Sequence, residues 1–136
     1  MNFDKLMEFR NSCQGFIDLI GLKITNISEG YAEGEIEINE TLLNPFGTVH
    51  GGCIFSLVDS VGGTAAMTRG NVMTTSSCNI SYLNPATNNT IIKAIAKEVK
   101  NGGLLLVYDV EVYDGDEMLV AKATCTYVRL QKHDFL

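Results

Sequence analysis

Asp59 is the single acidic residue in the stretch NPFGTVHGGCIFSLVDSVGG, residues 44–63. Around it Ile54, Phe55, Leu57, Val58 and Val61 recur at helical spacing, and Ser60, Gly62 and Gly63 follow closely. Taking a carboxylate out of water costs several kcal/mol unless it is well paired. An acid on a core-bound helix, bordered by small residues, therefore points to chemistry. It can act as a general base or a nucleophile, with Gly62 and Gly63 leaving room for a substrate. The alternative is a structural acid satisfied by hydroxyls such as those of Ser60 or Thr64.

The same helix opens on Gly51 and Gly52. The first N–H groups of a helix lack an internal acceptor and favour oxygen atoms that gain negative charge, and glycine lets a ligand approach the backbone closely. Asn44 can add a side-chain amide donor beside them, which makes an oxyanion hole; the competing reading of the glycine pair is a plain loop-to-helix turn. His50 either bonds backbone groups of its loop or serves as a base. Asp59 follows Gly51 by eight residues, which is about 12 Å along a helix and too far for both to act on one small reacting centre. If they cooperate, they come from different subunits whose helices run antiparallel, and the protein is a dimer.

Positioning these groups requires a loop, a helix and a sheet. "LLNPFGTVHGG" reads as a loop, since Asn-Pro disfavours a helix before it. The helix should run from Gly51 or Gly52 to Arg69 and stop at Gly70, with Arg69 against the helix dipole. Before it, "LKITNISE" and "AEGEIEIN" alternate apolar and polar residues as strands do. After it come four β-branched segments, "VMTTSSCNISYL", "TIIKAIAKEVK", "LLLVYDVEVYD" and "MLVAKATCTYVRL", separated by "NPATNN", "NGG" and "DGDE". Residues 3–20 suggest a short helix ending near Gly15 or leading into a turn at Gly21. Strands, one long helix, then successive strands predict a single α+β domain over residues 1–136. The later strands should form an antiparallel meander curved around a helix that is apolar on most of its girth.

Composition removes several classes of function. With 136 residues and 46% hydrophobic content, the chain supports one core. The net charge of −6 argues against nucleic acid, which needs a basic face; a polyanionic ligand would need lysines gathered locally. No apolar run approaches the roughly 20 residues of a membrane span, and the N-terminal segment lacks signal-peptide character. The expectation is a cytoplasmic protein. Cys13, Cys53, Cys78 and Cys125 are widely spaced, with no CxxC pair or Cys/His cluster. They read as buried or semi-buried free thiols, with no metal site.

Asn44, Gly47, His50, Gly51, Gly52, Leu57 and Asp59 form the pattern N-x-x-G-x-x-H-G-G followed by L-x-D. The pattern resembles the hotdog-fold acyl-CoA thioesterases, and most of all those of the phenylacetate-degradation type. The match is dense over residues 44–66, the strand order extends it to about residue 130, and over residues 1–40 only the general pattern fits. The resemblance implies a curved sheet wrapped around the helix, in a homodimer that usually pairs into a homotetramer, with active sites at the dimer interface. It implies that Gly51 N–H and Asn44 polarise a thioester carbonyl, and that Asp59 of the other subunit acts as base or nucleophile. Thr75 falls where some relatives carry a serine that orients the attacking water. His50, Gly52 and Tyr82 are assigned to substrate binding. In "EVKNGG", Lys100, Gly102 and Gly103 resemble the family's basic-plus-glycine turn near the CoA phosphates; a solvated turn lysine is the plainer reading, and Lys97 can face elsewhere. CoA enters as part of the acyl-CoA substrate, and no cofactor is implied.

Phe55, Met67, Met73 and Tyr82 are candidates for an acyl pocket as well as for plain core. Two rival functions share or border the fold. A dehydratase or hydratase would need a histidine working with an acid, and only His50 and His133 are present. A non-catalytic acyl-CoA sensor would need a means of reporting binding, and would have little use for Asp59. A related thioesterase arrangement with its acid in an early D-x-x-x-H-V-N loop has no counterpart before the helix.

Overall fold

A computed structural model describes residues 1–12, 15–87 and 90–132. Cys13, Asn88 and Asn89 of the "NPATNN" turn, and His133 lie outside the described residues. The chain forms α1 (Phe3–Asn11), a short α2 (Phe16–Leu19), β1 (Leu22–Ser28) and β2 (Tyr31–Glu37). After a single turn of 3-10 helix at Glu40–Leu42 come α3 (Gly51–Met67), β3 (Asn71–Tyr82), β4 (Ile91–Asn101), β5 (Leu105–Tyr113) and β6 (Leu119–Lys132). The N-terminal helix ends at Asn11, earlier than the glycine signals suggest, because the Asn11 carboxamide leaves the helix to bond both the N–H and the C=O of Ile24, each at 2.8 Å. The side chain thereby pairs with the free edge of β1.

All six strands form one antiparallel sheet in the order β1-β2-β4-β5-β6-β3. This corrects the expected meander. Of the four strands after the helix, only β4, β5 and β6 follow one another as neighbours; β3 crosses to the far edge and pairs with β6, while β2 takes the place beside β4. Alternation of apolar residues assigns faces but not neighbours, so the displacement of β3 left no trace in its own pattern. Its consequence is that a 12-residue strand carries ladder bonds on one side only.

The sheet curves around α3, whose Leu57, Val58, Val61, Ala65 and Ala66 are fully buried against Ile36, Ile92, Ala94, Ala96, Val110 and Val112. The helix meets β2 closely at Gly34, where a Cβ would lie 2.6 Å from a Val61 methyl group. Gly52, Phe55, Ser56, Asp59 and Gly63 are exposed or half-buried instead. At spacings of three to four residues they make one accessible stripe along an otherwise enclosed helix. Among the described residues, no helix is long and apolar enough to cross a membrane.

The C-terminal end of α3 stops at Met67, with Thr68 as its cap, slightly before the expected Arg69. Arg69 reaches away from the helix to grip both carboxylate oxygens of Glu98 at 2.7 Å and Glu29 at 2.6 Å. The Arg69 guanidinium, and then the Tyr108 hydroxyl, hold the Glu98 carboxyl below its ordinary value against the opposing effect of burial. A carboxyl lowered on folding contributes stability above its unfolded value and loses it as pH falls through the folded value. Glu98→Gln is therefore expected to lower stability at pH 7 by ~2 kcal/mol and to flatten the acid side of the stability curve. Chemical denaturation at pH 7 and at steps below about pH 4.5 checks this; parallel curves for parent and variant would contradict it.

Candidate active site

Asp59 sits on the accessible stripe of α3, half-buried, in a small cavity of about 190 Å³ lined by Arg10, Ser60, Gly63, Met67, Met73, Thr75 and Tyr127. The Thr75 hydroxyl donates to Asp59 Oδ1 at 2.7 Å. Tyr127 Oη stands 3.0 Å from the Asp59 main-chain oxygen and 3.4 Å from Oδ1. Neither Ser60 nor Thr64 satisfies the acid: the Thr64 hydroxyl donates to the Ser60 carbonyl at 2.7 Å. Among the described residues, no hydrogen bond is made to Asp59 Oδ2.

One expectation about this cavity needs correcting. Gly62 does not clear space for substrate. A Cβ there would lie 2.3 Å from Tyr127 Oη, so the space Gly62 leaves is filled by the tyrosine hydroxyl. Gly63 does border the cavity, and its missing Cβ would sit 3.6 Å from the Tyr127 ring. Sequence reasoning missed Tyr127 because it lies 68 residues from Asp59. The available signal was local: alternation in β6 turns Ala123, Cys125 and Tyr127 inward together.

At the other end of α3, Asn44 and Gly51 line a separate hollow of about 310 Å³ with Thr48, Val49, Ile54, Tyr82 and the segment 83–86. Asn44 Oδ1 accepts the N–H groups of Phe46 at 2.9 Å and Thr48 at 3.2 Å, and its amide donates to Thr48 Oγ1 at 2.8 Å. Those two backbone donors fix the amide orientation. One of its two N–H bonds goes to Thr48, and the second has no protein acceptor among the described residues. Thr48, which sequence reasoning did not single out, thus aims the Asn44 amide.

His50 is the N-cap of α3, and its Nδ1 accepts Gly52 N–H at 2.8 Å. An accepting Nδ1 requires the neutral ring protonated at Nε2. The histidine is therefore bonded to backbone, one of the two roles its loop position left open. It also occupies the N–H of Gly52, so of the glycine pair only Gly51 N–H is left without an acceptor among the described residues. Tyr82 is half exposed, and its hydroxyl donates to the Gly51 carbonyl at 2.9 Å, with the ring packed over Gly51.

Lys100, Gly102 and Gly103 come together at the exposed β4–β5 turn, outside both cavities. Arg129 holds that turn: Nε donates to the Gly102 carbonyl at 3.2 Å, one terminal nitrogen to Asn101 Oδ1, and the other to Asn71 Oδ1 at 2.7 Å. Lys97 lies with Ile95, Val99 and Asp109 in a hollow away from both cavities. Phe55 is on the accessible stripe, Met67 belongs to the core while edging the Asp59 cavity, and Met73 lines that cavity.

Among the described residues the thiols offer no competing nucleophile. Cys53 and Cys125 are buried and Cys78 half-buried, and Cys78 and Cys125 are cross-strand neighbours with sulfurs 2.9 Å apart. Burial pushes the Cys53 thiol up to about 11 and raises the other two as well, which disfavours the reactive thiolate. Among the described residues, no group of three or more His, Cys, Asp and Glu could hold a metal ion.

Comparison with known proteins agrees with the fold. The family model described as Thioesterase superfamily matches residues 46–121, from the loop before α3 to the start of β6. Acyl-coenzyme A thioesterase PaaI of Escherichia coli is 29% identical over 102 residues, which cover 75% of this chain and 73% of that protein. The structure of the E. coli PaaI protein superposes with a TM-score of 0.89 over 96% of this chain and 94% of that one, at 24% identity, and speaks to fold alone. Phenylacetic acid degradation protein PaaI from Thermus thermophilus is 34% identical, with a TM-score of 0.81 over 85% of this chain and 98% of that one. A Streptococcus mutans protein solved with acetyl CoA is 26% identical, with a TM-score of 0.83 over 90% of this chain and 97% of that one. An antiparallel sheet wrapped around one helix, with Asp59 and Gly51 on that helix, is thus a hotdog fold, and the chain belongs to the thioesterase superfamily.

Proposed function

We propose that the protein hydrolyses an acyl-CoA thioester to free CoA and a carboxylic acid, at sites shared between two protomers. The observation that carries this reading is the placement of Asp59 and Gly51 on one helix but in separate cavities. Within a chain they stand about 12 Å apart. Two α3 helices crossing antiparallel, stripe against stripe, bring Asp59 of one protomer to Gly51 of its partner. The midpoint of that crossing is Phe55, half-way between them in sequence and accessible on the stripe. The one-sided edge of β3 supports the same pairing, since a long edge strand with free N–H and C=O groups seeks a partner. A homotetramer of such dimers follows the family pattern.

In this arrangement the thioester carbonyl takes its hydrogen bonds from Gly51 N–H and from the second amide N–H of Asn44. Donors aimed at the oxygen as it gains charge are worth a few kcal/mol each in a water-excluded site. Asp59 Oδ2 either takes a proton from the attacking water and passes it to the departing CoA sulfur, or attacks the carbonyl carbon itself. Direct attack expels CoA as a thiolate that solvent protonates, and leaves a mixed anhydride that water hydrolyses to the carboxylic acid and the Asp59 carboxylate. Thr75 holds Oδ1 and stands beside the path of the water. The acetyl CoA of the Streptococcus mutans structure supports CoA as the carrier, and the Lys100 turn is the candidate for its phosphates.

Incubation with acetyl-, hexanoyl-, palmitoyl-, phenylacetyl-, crotonyl- and 3-hydroxybutyryl-CoA, the last two able to take up or lose water, in the presence of a thiol reagent tests the reading. Release of free CoA from at least one of them is the expected result. Stable binding without release would make the protein a sensor, and addition or loss of water across the acyl chain without CoA release would make it a hydratase or dehydratase.

A further inference from the structure

We infer that Tyr127 is a positioning residue for Asp59: together with Thr75 it fixes Oδ1 of the carboxylate, so that Oδ2 is the oxygen that reacts. The inference rests on the reading of Asp59 as base or nucleophile and adds a residue and an atom to it. Three observations carry it. First, Tyr127 Oη lies between the main-chain oxygen and the Oδ1 of the same residue, at 3.0 and 3.4 Å, so one hydroxyl spans the backbone and side chain of Asp59. Second, Thr75 and Tyr127 are directly opposite each other in the β3–β6 ladder, and both hydroxyls reach Asp59 Oδ1. Third, the helix gives way to this hydroxyl. Gly62 stands mid-helix, where glycine costs about 1 kcal/mol relative to alanine, and a Cβ there would meet Oη at 2.3 Å while the ring carbons stay at 3.2 Å or more.

The ring itself is held. Tyr127 is 1% exposed and packs edge-on against Tyr108, with ring centroids 6.1 Å apart and planes at 70°. A phenylalanine would fill the same space, so what Gly62 accommodates is the oxygen. Burial first, and then the neighbouring Cys125 and Asp59, raise the Tyr127 phenol well above its ordinary value, and it remains a neutral donor throughout the working range. The other titratable groups around Asp59 are Arg10 from α1, across the cavity, and the Cys78 and Cys125 thiols, both raised by burial. Removing the hydroxyl loosens the hold on Oδ1 and on the backbone of Asp59, and should therefore impair turnover more than substrate affinity.

The test uses the acyl-CoA of the panel above that the parent hydrolyses fastest. Tyr127→Phe is expected to lower kcat by about ten- to a hundredfold and leave KM within about twofold. Site-specific 3-fluorotyrosine at position 127 keeps ring and hydroxyl, so kcat should stay close to the parental value in a protein of parental fold. Gly62→Ala should destabilise the parent strongly and the Tyr127→Phe background much less. Parental kcat in Tyr127→Phe, or a loss with fluorotyrosine as large as that with phenylalanine, would overturn the inference. Asp59→Asn, assayed alongside, separates the two claims: if it is inactive while Tyr127→Phe is parental, only the role of Tyr127 falls. If Asp59→Asn itself is parental, the functional reading falls first.

Discussion

Asp59→Asn lowers the turnover of acyl-CoA by about 10³-fold or more, with the melting temperature and the oligomeric state of the parent retained. The size of the effect follows from the role: a general base contributes about 10²–10⁴-fold, and removing a nucleophile removes the covalent route altogether. Retention of the fold follows from the geometry. The asparagine keeps an oxygen at the Oδ1 position, where Thr75 donates at 2.7 Å and Tyr127 stands at 3.4 Å. Only Oδ2, which has no partner among the described residues, becomes an NH₂ group that can neither take a proton nor attack. Steady-state kinetics beside thermal melts check both halves. A variant that turns over at the parental rate would remove Asp59 from the chemistry.

Asn44→Asp is expected to lower kcat by about 10²–10³-fold with a smaller change in KM. Alanine is the poorer probe, because Asn44 Oδ1 also organises the loop by accepting two backbone N–H groups. Aspartate keeps those acceptors and the side-chain volume. It exchanges the amide donor for a negative charge beside an oxygen that itself becomes negative. An effect confined to KM would instead make Asn44 a contact to the ground-state substrate.

The elements of the fold were legible because their signals are local. Alternation marked the first two strands, β-branched runs between turn residues marked the other four, and the glycines at 51, 52 and 70 bracketed the helix to within a few residues. What could not be read were relations between distant segments. The pattern of β3 says which of its residues face the helix, but not that its neighbour is β6 rather than β4. The site divides along the same line. Asn44, His50, Gly51 and Asp59 announce themselves by spacing within one loop and one helix. Tyr127 does not, since its partner lies across the sheet, and Gly62 was misread for the same reason: an absent side chain shows that space is needed, not what fills it. His50 shows a further limit, because a histidine that caps Gly52 N–H has the same sequence context as one that touches substrate.

Subunit exchange between the two inactive variants tests the central claim most directly. In a dimer of one Asp59→Asn chain and one Asn44→Asp chain, a shared-site arrangement concentrates both lesions in one site and leaves the other intact. Equal mixing makes about half of the dimers hybrid, each with one working site, so activity should return to about a quarter of the parental value once mass spectrometry shows that exchange is complete. Complete exchange without any return of activity would contradict the account, and would mean that Asp59, Asn44 and Gly51 act, if at all, within a single chain.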